Sequence, residues 1–308
     1  MGVIDSLSAG FGVVNQRPWL VLLPVLLDLF FLLGPRVSVA PIVDRALAQP
    51  GVERAFAARG DASFEQTRQQ IATSAETFNL LTLLSPGAAS IPSIMPVLGM
   101  GTGRFTTLDS PGTALVMAVS ALVLGALMGC AFRAVIAQHL ADGEIHAVQL
   151  PGESVAAWLR LLGYAALVIA VGGLLAVLLA FLTALVTIFA GPLGTILTAL
   201  VVTLVLWAQL YLFFAQDAIF ISRVGPVGAI RRSAAVVRAN TWAAIGIAVL
   251  MTVILVGMAQ VWVMLASRAS WGLALGIVGN GYIASGLVAA SMLFYRERVA
   301  MLGDYREA

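Results

Sequence analysis

The sequence contains no lysine, a single cysteine and few charged residues of any kind. Only 10% of its 308 residues are charged, whereas 60% are hydrophobic. A soluble protein keeps roughly a quarter of its residues charged. This chain has too few charges to cover a water-exposed surface, so lipid must supply part of its solvent. We therefore predict an integral membrane protein.

The same scarcity excludes several kinds of site. A net charge of +2 is too small for a nucleic-acid-binding protein, so no nucleic acid partner is expected. A lone Cys130 cannot form a disulfide or a cysteine-based metal site within one chain. His139 and His146 lie outside the apolar runs, and Gly143 between them breaks any fixed ligand geometry. We expect no metal site and no bound cofactor.

Sequence motifs for catalysis are also missing. The chain has no His-Glu-x-x-His for zinc and no Gly-x-Ser-x-Gly nucleophile turn. Gly99, Gly101 and Gly103 imitate a nucleotide-binding loop, but no predicted strand precedes them and no helix follows at once. A non-enzymatic protein is expected.

Uncharged runs define the predicted spans, because a span needs about 20 mostly apolar residues to cross roughly 30 Å of hydrocarbon. Leu161 to Gln216 form a run of 56 uncharged residues, which Gly191-Pro192 divides into a hairpin. The predicted spans are 18–35, 112–133, 161–190, 193–222, 241–266 and 270–295. The fold class is an all-α integral membrane protein, with six transmembrane helices in a bundle.

The segments between the spans carry most of the charge. Residues 36–111 are predicted to form one long extracytoplasmic loop subdomain, whose amphipathic helix places Phe64, Ile71, Phe78 and Leu81 on one face. The other segments are 1–17, an interfacial helix; 134–160, a loop with an interfacial helix; 223–240, a basic amphipathic helix; and 296–308, a tail.

Arginine placement sets the predicted orientation. The segments on one side of the membrane hold ten arginines, and the short turns on the other side hold only Arg268. Short cytoplasmic loops are enriched in basic residues, whereas a long loop crosses largely regardless of its charge. Both termini are therefore expected in the cytoplasm, with the spans in a bacterial plasma (inner) membrane.

The basic segment 223–240 is a candidate docking surface for lipid or a partner. Its arginines are Arg223, Arg231, Arg232 and Arg238. Ile230, Val236 and Val237 are expected to face lipid while the arginines face head groups and water, as in an interfacial helix. The arginines either fix the topology only, or dock to lipid phosphates or to an acidic partner.

The same stretch resembles a known family. DAIFISRVGPVGAIRRSAAVVRANTW between two apolar spans, with the early NQRPWLVLLPVLLDL and the late MLFYRERV, is similar to the six-span membrane domain of bacterial glycerophosphodiester phosphodiesterase-type proteins and their uncharacterised relatives. The matching residues are Gly225, Pro226, Arg232, Ser233, Asn240 and Trp242. The resemblance covers most of the membrane part and implies its fold. No phosphodiesterase domain follows the last span, so the resemblance implies no hydrolysis.

Two carboxylates lie within or at the edge of the predicted spans. Asp28 is about midway along span one, where insertion of a carboxylate costs roughly 2.5–3.5 kcal/mol. Asp217 is near the inner end of span four, and Asn280 is a polar residue within span six. Together they form either a proton- or cation-linked polar path or a set of hydrogen-bonded structural groups.

The function we expect is that of an accessory, scaffold or assembly component of a larger membrane complex. Its partners would be other membrane protein subunits and anionic lipid head groups at the cytoplasmic face. The alternative is a small-solute, ion or lipid transporter that uses the intramembrane carboxylates.

Overall fold

Helices make up most of the computed structural model, which describes residues 2–51, 63–85, 87 and 90–307. The α-helices are α1 (Val3–Gln16), α2 (Leu22–Leu33), α3 (Ala40–Leu47), α4 (Ser63–Thr77), α5 (Met95–Leu98), α6 (Pro111–Asp142), α7 (Leu150–Ala190), α8 (Pro192–Leu212), α9 (Ala215–Ile221), α10 (Pro226–Ala239), α11 (Thr241–Arg268) and α12 (Ser270–Glu307). Pro18–Val21 and Leu80–Leu84 are 3₁₀ helices, and β1 (Arg36–Ser38) pairs in parallel with β2 (Phe105–Thr107).

Several of these helices are long and apolar enough to cross a membrane. Within the residues described there are five: Pro111–Ala141, Leu150–Ala190, Pro192–Ile221, Thr241–Arg268 and Trp271–Gly303. The helices before and after Arg17 meet the same test only when taken together, which raises the number to six. The prediction of a helical membrane protein is therefore confirmed.

Several of the long helices extend beyond the predicted spans, α7 and α12 by the most. α7 has 41 residues, so at 1.5 Å per residue it is about 60 Å long, twice the thickness of the hydrocarbon. The predicted interfacial helix before span three is the first part of α7, and only residues 143–149 separate α7 from α6. α12 likewise continues through Glu307, into the predicted tail. Each of these helices therefore combines an apolar run with a charged end.

The hairpin between α7 and α8 turns at Gly191, whose backbone angles are φ 17° and ψ −81°. Pro192 follows as the first residue of α8, a position where its missing N–H breaks no helical hydrogen bond. The two helices pack against each other. A Cβ at Gly194 would collide with Thr187, so glycine at that position allows the close approach.

The chain divides into two compact units, and the first contains Met1–Leu20, Cys130–Gly257 and Ile283–Ala308. Here α1 packs through Leu7 and Phe11 against Leu287 and Ala290 of α12. A second cluster is aromatic: the rings of Phe214 and Phe294 stack with centroids 5.3 Å apart. Ile4, three residues before Leu7 on α1, is 75% exposed.

The second unit contains Val21–Gly129 and Met258–Tyr282. The loop between α2 and α6 is held by hydrogen bonds as well as by the β1–β2 pair. The Thr102 N–H donates to the Leu32 carbonyl (2.8 Å), and the Val37 N–H donates to Asn79 Oδ1 (2.9 Å). α4 ends at Thr77, before two of the residues expected on its apolar face, Phe78 and Leu81. The Phe64 side chain lies outside the described structure.

Gly10 and Gly12 allow a matched test of the packing of α1. A Cβ at Gly10 would collide with the Ala290 nitrogen and the Gly286 oxygen, whereas at Gly12 nothing lies within 4 Å. We expect Gly10→Ala to lower stability by about 1–3 kcal/mol through overpacking. Gly12→Ala should raise it by about 0.5–1 kcal/mol, because alanine favours a helix. Thermal unfolding in detergent would measure both, and shifts of the same sign would contradict this packing.

Candidate functional site

Asp28, the first predicted site residue, lies on α2 with no exposed surface. Its Oδ1 accepts hydrogen bonds from the Ser93 hydroxyl and from the Ile94 N–H (3.2 Å). The Ser93 oxygen in turn accepts from the Met95 N–H (3.3 Å). Asp28 therefore stabilises the start of α5 from outside that helix, since a helix N-terminus leaves N–H groups without intrahelical partners.

The segment held by Asp28 is itself buried. Ile91, Ile94 and Met95 expose 1%, 2% and 2% of their surface. Because the Pro- and Gly-rich sequence here forms only the short helix α5, the backbone N–H groups before that helix need acceptors from elsewhere. The carboxylate of Asp28 supplies one, which connects α2 to this segment of the loop.

Asn280, the other predicted polar site residue of this unit, is 7% exposed on α12. It is not among the hydrogen-bond partners of Asp28. The neighbouring Gly281 packs closely against Val21, Pro24 and Val25. Asn280 thus lies in a packed stretch of helix and is not joined to Asp28.

Asp217 belongs to the first unit, where it is 3% exposed on α9. Its Oδ1 lies 3.7 Å from Arg133 Nη1, and its Oδ2 accepts a 2.5 Å hydrogen bond from the Ser291 hydroxyl. Arg133 is itself 7% exposed. From the sequence alone, Arg133 is one of the arginines that indicate orientation. Arg133 and Asp217 each lie at the end of an apolar run, and that shared position is the sequence signal for an ion pair.

Ser233 forms hydrogen bonds with backbone groups at the break between α8 and α9. Its hydroxyl donates to the Tyr211 carbonyl (2.6 Å) and accepts from the Phe214 N–H (3.1 Å). A helix break within an apolar region leaves backbone groups unpaired, and their burial is costly. Ser233, a residue of the family-like motif, therefore satisfies the backbone of a neighbouring helix pair.

The other residues of the motif begin and end α10. Gly225 is the extended N-cap residue and Pro226 is the first helical residue. At the other end the Asn240 N–H donates to the Val236 and Val237 carbonyls, and the Asn240 carbonyl accepts from Ala244 N–H (2.8 Å) of α11. Trp242 is 86% exposed in the first turn of α11.

α10 has one face buried in its unit and one exposed basic face. Ala229, Ser233, Val236 and Val237 have no exposed surface. The expectation that Val236 and Val237 face lipid is wrong, because protein covers them. The exposed positions on this helix include Arg231, Arg232 and Arg238.

The candidate docking arginines differ in their surroundings. Arg223, before α10, has a left-handed backbone (φ 51°) and pairs with Glu153 at 2.7 Å. The Arg232 side chain lies beside Tyr295 and interacts with it electrostatically. For Arg231 and Arg238, no side-chain hydrogen bond or ion pair exists among the described residues. These two guanidinium groups are therefore available to an outside partner.

The pair of Asp217 and Arg133 can be tested by a double-mutant cycle. Arg133→Met leaves a buried carboxylate without its cation, and Asp217→Asn leaves the cation without its carboxylate. We expect each single change to destabilise the protein by about 3–5 kcal/mol. The double variant should lose clearly less than the sum, as for any coupled pair. Thermal unfolding in one detergent would measure all four proteins, and strict additivity would contradict the coupling.

The role of Asp28 can be tested by hydrogen exchange. Asp28→Ala removes the acceptor for Ser93 and Ile94, which we expect to cost about 1–3 kcal/mol and to speed exchange in residues 90–98. Asp28→Asn keeps one acceptor oxygen and should have a smaller effect. Asp44→Ala, at an exposed carboxylate of the same unit, is the control. Unchanged exchange in Asp28→Ala would show that the carboxylate does not hold the loop.

Comparisons of the chain with protein-family models, with curated proteins and with solved structures found no match.

Proposed function

We propose that this chain is a non-enzymatic accessory, scaffold or assembly component of a larger membrane complex. One observation carries the proposal. α10 is packed into its unit through its buried face, while Arg231 and Arg238 on the exposed face have no partner within the residues described. A fixed pair of unpaired cations is suited to an acidic surface on another subunit.

The spacing of the two arginines specifies what such a surface needs. Arg231 and Arg238 are seven residues apart, two turns along the same side of a helix, or about 10.5 Å of axial rise. Val236 and Val237 are packed inside the unit, so α10 cannot insert them into a bilayer as an interfacial helix would. This favours an acidic protein subunit as the main partner of α10, with anionic lipid head groups around it.

The membrane topology that accompanies this proposal has six spans and both termini in the cytoplasm of a bacterial inner membrane. The first span would be Pro18–Leu33, whose 3₁₀ turn and helix reach about 26 Å. That length is close to the roughly 30 Å of hydrocarbon. Residues 36–111 would then be extracytoplasmic, and the concentration of arginines at the other ends of the helices supports the orientation.

Membership in the six-span family that the motif resembles is also a proposal. It is supported by the structural part that each matching residue plays: a helix start at Gly225-Pro226, a bridged helix break at Ser233 and a helix end at Asn240. These are requirements of local folding. They support a shared architecture and carry no enzymatic activity.

The alternative, a small-solute, ion or lipid transporter that uses Asp28 and Asp217, has less support. Each carboxylate already accepts hydrogen bonds from its own unit, and Asp217 also faces Arg133. A carboxylate that exchanges a proton or cation during transport needs an accessible coordination position. Neither of these two offers one in this conformation.

Substitution of the two arginines tests the docking role. After gentle extraction from the native membrane, we expect the Arg231→Gln/Arg238→Gln protein to retain about tenfold less of any stoichiometric partner, because interfacial charge pairs contribute at least 1–2 kcal/mol. Quantitative mass spectrometry of co-migrating proteins is the measurement. Arg17→Gln, at an exposed arginine of the same unit, is the control. If the double variant retains as much partner protein as the wild type, or if the wild type itself retains no partner, the proposal is contradicted.

A further inference from the structure

A cavity of about 610 Å³ lies within the first unit, between the end of α6, the start of α7, α9 and Arg296 of α12. Small residues create its volume: Ala137 and Ala141 on α6, and Gly152 and Ala156 on α7. In each pair the residues are four apart, so both face the same side of their helix. The volume falls within the range of about 300–1,000 Å³ that is typical of small-ligand sites.

The wall of the cavity has an apolar part and a strongly basic part. Phe220 and its neighbours on α9 form the apolar part. Arg160, Arg223 and Arg296 form the basic part, and Glu153 is the acidic side chain among the lining residues. Three guanidinium groups against one carboxylate leave two positive charges in excess. The cavity is therefore suited to an anion that also has an apolar portion.

The three arginines differ in how many of their donors are used. Arg223 pairs with Glu153, and that carboxylate also accepts from Gln138 Nε2 (2.9 Å). Arg296 donates to the Leu140 carbonyl. Arg160 is half-buried and has no hydrogen bond or ion pair with any part of the chain that the structure describes. A half-buried guanidinium presents five N–H donors, and an unpaired charge there is unfavourable until an anion joins it.

We propose that this cavity binds a phosphate-bearing ligand, with Arg160 as the residue that contacts the phosphate. Guanidinium groups recognise phosphate through two parallel hydrogen bonds, and Arg296 lies in the same wall to share the charge. The phosphate belongs either to a lipid head group or to a free phosphate ester. Arg231 and Arg238 do not line this cavity, so the inference is independent of docking through α10.

Isothermal titration of the full chain in dodecyl maltoside tests this site with three probes. They are dioctanoyl phosphatidylglycerol, sn-glycerol 1-phosphate and dioctanoylglycerol, which lacks the phosphate. We expect the first to bind, and the third not to. If glycerol phosphate binds as tightly as the lipid, the natural ligand is a free phosphate ester. If only the lipid binds, the natural ligand is a lipid whose head group carries the phosphate. Absence of binding by both phosphate probes, or equal binding of dioctanoylglycerol, would overturn the proposal.

Two variants show whether the cavity is responsible. Arg160→Gln should weaken binding of the phosphate probe about tenfold or more, the usual effect of losing charge-assisted hydrogen bonds. Ala156→Phe, one turn before Arg160, should block binding by filling the cavity without changing any charge. Arg17→Gln, which removes a charge outside the cavity, should bind like the wild type. Equal weakening by Arg17→Gln, or undiminished binding by the first two variants, would exclude the site.

A change in folding is separated from a change in binding by the unfolding midpoint of each variant without ligand. For Arg160→Gln, which removes an unpaired cation, we expect a midpoint equal to that of the wild type or above it. If a variant binds the probe more weakly but unfolds at the same midpoint as the wild type, the loss of affinity comes from the cavity itself. Should Ala156→Phe unfold early, the comparison of Arg160→Gln with Arg17→Gln still decides the question.

Discussion

Buried polar groups must find their partners inside the protein, because a buried group without a hydrogen bond is costly. In the first unit the Asp217 carboxylate meets this requirement with Arg133 and Ser291, and Ser233 meets it for the backbone of the break before α9. These contacts join α6, α8, α9, α10 and α12. The orientation of α10 follows from them, since rotation of that helix would remove Ser233 from the break and leave a buried N–H unpaired.

The same requirement explains the second unit in a different way. Asp28 could have been a group waiting for a proton or a cation, but its oxygens are occupied by the hydroxyl of Ser93 and the N–H of Ile94. Those donors lie directly before the short helix α5, where they have no partner within that helix. A carboxylate on an apolar helix and an unpaired loop backbone are each unfavourable alone, and each removes the cost of the other.

Polar groups that remain without a partner are therefore informative, and within the described part of the first unit three arginines are of this kind. Arg231 and Arg238 are exposed on a helix whose other face is buried, whereas Arg160 is half-buried beside a cavity. Exposed cations on a fixed face suit a macromolecular surface, which can match their spacing. A half-buried cation in a concave site suits a small anion, which can enter. The two features support two separate kinds of binding in one membrane protein.

Composition and the spacing of charges determined that this chain forms membrane helices, where the hairpin at Gly191-Pro192 lies and which carboxylates need partners, because each of these depends on neighbours along the chain. The partners themselves were decided by tertiary structure: Ser93 is 65 positions from Asp28, and Ser291 is 74 from Asp217. The surroundings of Val236 and Val237 were also beyond the sequence, because lipid and a protein interior are equally apolar. A hydrophobic pattern shows that a side chain avoids water, and only the packed structure shows whether lipid or protein covers it.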